Sequence, residues 1–399
     1  MQILFFPLAS FGGLPYLCIM ALHFRLTTPT IDDLTLELKP RHMAGPEESE
    51  IRATHLPAEW ARQSGVQLTW PHEGTDWQPL LREVTECYVS IALEIAERER
   101  LIIITPYPER VETLLKERLP QRTLQNITLH GIPSNDTWAR DHGFITLKTS
   151  TGCIFLDFQF NGWGRKFPAE LDNKICRRMA ELGILKGQYE GHLDFVLEGG
   201  SIESDGHGTI LTTSQCLLAP NRNHPLSQAE IEERLRLYLH AERILWLDYG
   251  YLAGDDTDSH IDTLARLCPN ETIAYVQCTD NEDEHYEELR RMEQQLQGFR
   301  TLDGEPYRLI PLPMAAPVYD SDGQRLPATY ANFLIINGAV LIPTYRDPER
   351  DEAARKQLQK AFPKHEIVPI DCRVLIEQHG SLHCCTMQFP TGAMSTDIS

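Results

Sequence analysis

Two stretches of the chain carry residues whose types and spacing can do covalent chemistry. Near the C-terminus stands Gln378-His379-Gly380-Ser381-Leu382-His383-Cys384-Cys385-Thr386-Met387-Gln388, and far upstream Gly254-Asp255-Asp256-Thr257-Asp258-Ser259-His260-Ile261-Asp262. The first offers sulfur beside imidazole, the second a histidine among carboxylates. A cysteine nucleophile needs a proton carrier and groups that orient its substrate, and folding can bring these from distant parts of a sequence. Residue types alone therefore point to an enzyme. If the first stretch is extended, the adjacent Cys384 and Cys385 face opposite ways, so only one can attack. If the second is a strand, His260 and Asp262 share a face while Ile261 enters the core. The rival chemistry for a His-x-Asp pair is metal binding, but a metal needs three or four ligands and the sequence supplies no obvious set of imidazoles.

The elements that must position these residues are legible as alternating patterns. Residues 101–105, 208–212, 272–276, 334–337 and 340–343 are short, β-branched or aliphatic, and bounded by Gly, Pro or Asn, which predicts strands. Residues 78–98, 227–240, 282–297 and 349–361 are predicted helices, and Ser227 followed by Glu230 is a capping-box signal. Recurring strand and helix without a Gly-rich phosphate loop indicates an α/β fold lacking a dinucleotide site. No long linker or low-complexity run follows the acidic stretch Glu47 to Glu50, so residues 51–399 are expected to form a single catalytic domain.

Lys and Arg number 37 against 57 Asp and Glu, a net charge of −20 that argues against a nucleic-acid partner and favours small cations. Ten scattered cysteines form no disulfide framework and fit a reducing compartment, the cytoplasm. Residues 1–24 are apolar and formally uncharged, but Pro7, Gly12, Gly13 and Pro15 interrupt them and no basic residue precedes them, so no membrane span is expected. Met43 is a credible start, which would leave residues 1–42 upstream of the authentic chain, with a targeting segment as the alternative; residues 1–50 are expected to be an N-terminal extension, disordered or a mis-start. Oligomeric state is not legible, and a homo-oligomer is admissible.

Further blocks give the reading its specificity. Asn135-Asp136-Thr137-Trp138-Ala139-Arg140-Asp141-His142-Gly143, Phe160-Asn161-Gly162-Trp163-Gly164, Leu197-Glu198-Gly199-Gly200, Cys216-Leu217-Leu218-Ala219-Pro220-Asn221-Arg222-Asn223 and Tyr330-Ala331-Asn332-Phe333 appear in this order with the two stretches above. Together, from about Leu56 to Pro390, they resemble the agmatine deiminase family of guanidine-modifying enzymes, relatives of the bacterial peptidylarginine deiminases. The resemblance implies a five-bladed α/β propeller of ββαβ units around a pseudo-fivefold axis. It implies Cys384 as nucleophile, His260 as general acid and base, Glu198 hydrogen-bonded to His260, and Asp141 and Asp262 gripping the guanidinium. Asp256 and Asn332 are implied contributors to substrate binding, and Trp138 is expected to flank the substrate's methylenes. If the Trp138 to Asp141 segment is extended, Arg140 turns away from Asp141. Arg266 is expected to brace the carboxylates.

The implied reaction converts agmatine to N-carbamoylputrescine and ammonia through an amidino-cysteine, with no metal or organic cofactor. Alternatives are the same chemistry on free or peptidyl arginine, amidino transfer to an amine, and a non-catalytic polyamine binder. Asp258-Ser259 and Gln378-His379-Gly380 depart from the glycines that many members carry there, and both border the expected site.

Overall fold

The structure is a computed structural model that describes residues 54–394, so the expected N-terminal extension lies outside the described residues. Chain order begins with β1 (Thr54–His55), β2 (Gln63–Thr69), a helix at Leu81–Ala96, β3 (Arg100–Thr105) and β4 (Ile127–Gly131). There follow β5 (Ile145–Thr149), β6 (Cys153–Gln159) and β7 (Gln188–Val196), then β8 (Ile202–Ser204), β9 (Thr209–Thr213) and β10 (Arg243–Leu247). Next come β11 (Ala265–Cys268), β12 (Thr272–Gln277) and β13 (Arg308–Pro313), then β14 (Leu334–Ile336), β15 (Ala339–Thr344), β16 (Glu366–Asp371) and β17 (Thr386–Pro390).

These strands pair into five sheets ordered β1-β5-β6-β7, β10-β9-β8, β11-β12-β13, β14-β15-β16 and β17-β2-β3-β4. One connection recurs in all five. An antiparallel pair is followed by a helical crossover to a strand parallel with the second, as in β5-β6-β7, β8-β9-β10, β11-β12-β13, β14-β15-β16 and β17-β2-β3. Parallel neighbours require such a crossover because a tight turn cannot join them. Helices Leu81–Ala96, Ile175–Glu181, Gln228–Leu239, Tyr286–Gly298 and Pro348–Ala361 supply it. The α/β class is as expected. The β17-β2 sheet draws on both ends of the described chain, with Thr386 opposite Leu68.

Most predicted elements appear with shifted ends. Ser227 caps its helix through a reciprocal capping box with Glu230, and His240 in left-handed geometry ends it. The helix expected from residue 282 starts at Tyr286, because the Asp283 carboxylate instead binds the His285 backbone N–H (2.9 Å) and the Arg325 guanidinium (2.8 Å). The central strands are apolar on both faces, as strands covered on two sides must be: Val66, Leu68, Ile103, Ile273, Val276, Val340 and Leu341 are fully buried. Each contributes about 1.5–3 kcal/mol by leaving water.

A short non-strand segment precedes the first strand of every sheet: Ala139–His142 before β5, Gly199–Ser201 before β8, Ile261–Thr263 before β11, residues 330–333 before β14 and 382–385 before β17. These five segments and the residues immediately before them carry Asp141, Glu198, His260 with Asp262, Asn332 and Cys384. Three local expectations are corrected here. Trp138 to Asp141 is a helical turn, in which the Asp141 N–H donates to Trp138 O (3.0 Å). His260 to Asp262 is no strand, because the Thr263 N–H closes a turn onto His260 O (3.2 Å). Cys384 and Cys385 also lie in a turn, closed by the Thr386 N–H onto His383 O (3.0 Å).

Candidate active site

Each turn aims its side chain by local hydrogen bonds. The Asn332 side-chain carbonyl accepts the backbone N–H groups of His383 (2.9 Å) and Cys384 (3.3 Å), and its amide nitrogen lies 3.3 Å from Cys384 Sγ. Asn332 is thus a support beneath the sulfur and does not line the pocket. The Cys384 sulfur stands 3.8 Å from Asp262 Oδ2. Burial first, then the charges of Asp262 and Asp141, push its thiol well above the ordinary range. Cys385, also buried in the main core, has Tyr88 and Cys87 for neighbours where Cys384 has Asp262 and Asp141.

Asp141 accepts the indole N–H of Trp163 (2.9 Å) and the backbone N–H of Gly200 (3.0 Å). Burial, with the nearby Asp262 charge, raises its pKa well above that of a free carboxyl. Asp262 accepts from His383 Nδ1 (2.8 Å). Burial opposes its ionisation, but the bond from His383 and the charge of Arg266 outweigh it and hold its pKa below that of a free carboxyl. Gly200 marks where the site converges: a Cβ there would lie 2.6 Å from His260 Nδ1, 2.8 Å from Asp141 Oδ1 and 3.2 Å from Asp262 Oδ2. Only glycine lets the backbone pass this close to three functional groups.

His260 is fully buried, and burial holds its imidazole neutral, with a pKa lowered to about 3. Its Nδ1 is 3.7 Å from Asp141 Oδ1, and neither ring nitrogen has a hydrogen-bond partner among the described residues. The expected Glu198 to His260 hydrogen bond is absent. Glu198 Oε1 instead accepts from Arg222 Nε (2.7 Å), a charge-assisted bond that wins over a neutral imidazole, and Oε2 is left without a partner. Arg222 is anchored in turn by Asp258 (2.9 Å) and by Thr257 O (3.0 Å).

Arg140 does point away from Asp141, toward Glu59 (2.9 Å) and Gln388. Arg266 acts one step removed from the site carboxylates. It binds Glu203, Glu59 (2.6 Å) and the carbonyls of Ala331 (3.0 Å) and Phe333 (2.6 Å), and lies 3.0 Å from His383 Nε2.

A pocket opens onto Cys384 and Asp141. Trp138, Trp163 and Phe167 give it apolar walls, while Asp76, Asp136 and Asp256 give it carboxylates. No Lys or Arg lines it among the described residues. Trp138 and Asp256 line this pocket beside Asp141 and Cys384, while His260, Glu198 and Asp262 are not among its lining residues. Sequence reasoning gave no role to Trp163, Arg222, His383 or Glu59. Trp163 carries a signal, standing between two glycines in left-handed geometry of its own (φ 53°). That conformation is rare and costly for a bulky residue.

A thiol that can attack, a neutral imidazole and a pair of buried carboxylates suit a positively charged planar carbon, and they define a cysteine-dependent enzyme acting on amidines. Comparison with known proteins agrees. Residues 55–390 match the sequence model of the Porphyromonas-type peptidyl-arginine deiminases, and the chain belongs to that family. It is 33% identical to an agmatine deiminase of Pseudomonas aeruginosa, over 84% of this chain and 95% of that one. A C. jejuni agmatine deiminase solved with substrate bound is 38% identical with a TM-score of 0.78, covering 85% of this chain and 97% of its own. A Porphyromonas gingivalis structure, whose name proposes an arginine deiminase, is 51% identical with a TM-score of 0.81, covering 86% of this chain and all of its own. No helix among the described residues is long and apolar enough to cross a membrane.

Proposed function

We propose that the protein hydrolyses agmatine to N-carbamoylputrescine and ammonia. The observation that carries this is the convergence of Asp141 and Asp262 beside the Cys384 sulfur, with Asp141 and Cys384 opening onto a pocket lined by carboxylates and, among the described residues, by no Lys or Arg. A guanidinium seated between the two carboxylates is held by charge-assisted hydrogen bonds and reverses the field that keeps Cys384 protonated. His260, neutral in the free site, takes the thiol proton as sulfur attacks the guanidinium carbon. The resulting imidazolium, next to Asp141, gives that proton to the departing nitrogen, which leaves as ammonia. A cationic amidino-cysteine remains. Water then attacks the same carbon and His260 accepts one of its protons, which returns to sulfur as the carbon–sulfur bond breaks; the second proton of the added water leaves with ammonia as ammonium, and the neutral ureido product departs. No metal or organic cofactor takes part.

Free or peptidyl arginine is the second reading, favoured by the family's description and by the name of the P. gingivalis structure. Agmatine suits the pocket better, because an α-carboxylate beside Asp76, Asp136 or Asp256 would be unpaired and costly. The test is kcat/KM for agmatine, arginine and an arginyl peptide, and agmatine should lead arginine by at least ~10²-fold. Equal values, or citrulline as the faster product, would refute the agmatine assignment.

The five ββαβ sheets close into a five-bladed propeller around a pseudo-fivefold axis, a reading supported by the pairing of β17 with β2 and by the site residues leading successive sheets. The protein works in the cytoplasm, in polyamine metabolism, on a small cationic substrate and without nucleic acid or membrane partners. The described cysteines, all free and buried, support that placement.

A further inference from the structure

Glu198, Cys216 and His260, none of which lines the pocket, each offer one ligand atom, and the three atoms lie within 4.8 Å of one another. All three residues are fully buried. Glu198 Oε2 and both His260 ring nitrogens have no hydrogen-bond partner among the described residues, an arrangement that buried polar groups seldom leave unexplained. The Thr213 hydroxyl sets Cys216 in place by accepting its backbone N–H (3.3 Å) at the start of the turn Ser214–Leu217.

A second trio, the half-buried Glu59 with the buried Glu203 and His383, has its ligand atoms equally close. There the cation's place is taken: the Arg266 guanidinium binds Glu203 and Glu59 and lies 3.0 Å from His383 Nε2. In the first trio a guanidinium hydrogen-bonds one member only. Arg222 reaches only Oε1 of Glu198 and sends its other nitrogens to Asp258, Asn221 and Thr257.

We propose that Glu198, Cys216 and His260 form a zinc site whose occupation switches the enzyme off. This rests on the reading of His260 as the proton carrier. Thiolate, imidazole and carboxylate are zinc's ligands, whereas magnesium and calcium favour oxygen alone. Zinc bonds of ~2.0–2.3 Å put tetrahedral donors roughly 3.3–3.8 Å apart, so the trio need close by only about an ångström. Coordination displaces the Cys216 thiol proton, which leaves to solvent, and the zinc takes an imidazole lone pair. Arg222 can stay on Oε1 while the metal binds Oε2, the kind of outer contact that orients a ligating carboxylate. With its lone pair engaged, His260 no longer relays the Cys384 proton.

The test uses cobalt(II) as a coloured substitute and zinc as inhibitor, with the full chain as wild type, Cys384→Ser and Cys216→Ala. Wild type and Cys384→Ser should each bind one cobalt with a thiolate-to-cobalt absorption band, and Cys216→Ala should lack that band. Cys216→Ala should keep wild-type turnover and need at least about tenfold more zinc for half-inhibition. If Cys216→Ala misfolds by circular dichroism, Cys216→Ser takes its place, since a hydroxyl in this position should still lose the band. A band lost in Cys384→Ser and kept in Cys216→Ala places the metal on the nucleophile and overturns the proposal, as does the absence of cobalt binding to any of them. The absorption readout is independent of turnover. A chain that hydrolyses no guanidine would therefore fail the functional reading while the metal site is still decided.

Discussion

Replacing Trp163 by Phe should cost a large share of catalysis through a single hydrogen bond. Among the described residues the indole N–H is the one donor to Asp141 Oδ2, at 2.9 Å, while Oδ1 keeps the Gly200 N–H. A phenyl ring retains the edge contacts with Phe160 (5.0 Å) and Phe167 (5.6 Å) but has no donor. A hydrogen bond to a charged group contributes about 1.5–3 kcal/mol, which converts to a roughly 10- to 150-fold fall in kcat/KM. The sign of the pH effect is also fixed. The Trp163 bond lowers the Asp141 pKa against burial, so its loss raises that pKa further. Asp141 must be ionised to hold a guanidinium, so the acid limb of the kcat/KM profile should move to higher pH and the defect should shrink as pH rises. Ammonia release measured across pH for wild type, Trp163→Phe, Asp141→Asn and the double variant completes a cycle. The double variant should be little worse than Asp141→Asn. A loss below about threefold with an unmoved acid limb, or losses that simply multiply, would refute the argument.

Cys384→Ser should abolish turnover while sparing the fold, and Cys385→Ser should keep most activity with some loss of thermal stability; kinetics paired with melting curves check both, and the reverse pattern condemns the choice of sulfur. In the free enzyme, Cys384 should resist iodoacetamide at neutral pH, and Asp262→Asn should alkylate faster although it turns over no substrate, because it removes a charge 3.8 Å from the sulfur. Fast alkylation of the wild type would mean a thiolate formed without substrate. Glu59 is held well below the usual carboxylate range against the cost of burial, by His383, Arg140 and Arg266. Its stabilisation is therefore present above the unfolded pKa of about 4.5 and fades as pH falls below it. Glu59→Gln should lose about 3–5 kcal/mol in neutral urea titrations, and the gap from wild type should narrow in acid.

Much of the site could be read from residue order, because chemistry constrains residue types more tightly than backbone shape. Cys384, Asp141 and Asp262 converge in space as the family resemblance implies. What misled was the assumption of strand. His260 to Asp262, Trp138 to Asp141 and Cys384-Cys385 all fold as tight turns, and a turn of a few residues is set by what packs around it more than by its own periodicity. The separation of Arg140 from Asp141, and of Cys384 from Cys385, nonetheless survived, since a turn also splays adjacent side chains. The Glu198 misreading has a different origin. Arg222 sits 24 residues further on, and nothing in either segment's pattern says that its guanidinium would take the carboxylate first. The recurring ββαβ order was equally hidden, because it repeats connections and not residues.

The pairing of β17 with β2 also bears on how the enzyme comes into being. Thr386 lies against Leu68, so one sheet must wait, during synthesis, for nearly the whole described chain to leave the ribosome. Contacts so distant in sequence are slow to form, because a long loop must close before they repay its cost. The sulfur at Cys384 stands two residues before that last strand. A prematurely terminated product therefore lacks the nucleophile and the sheet edge together. Such a chain also leaves β2 with an edge that β17 would otherwise pair.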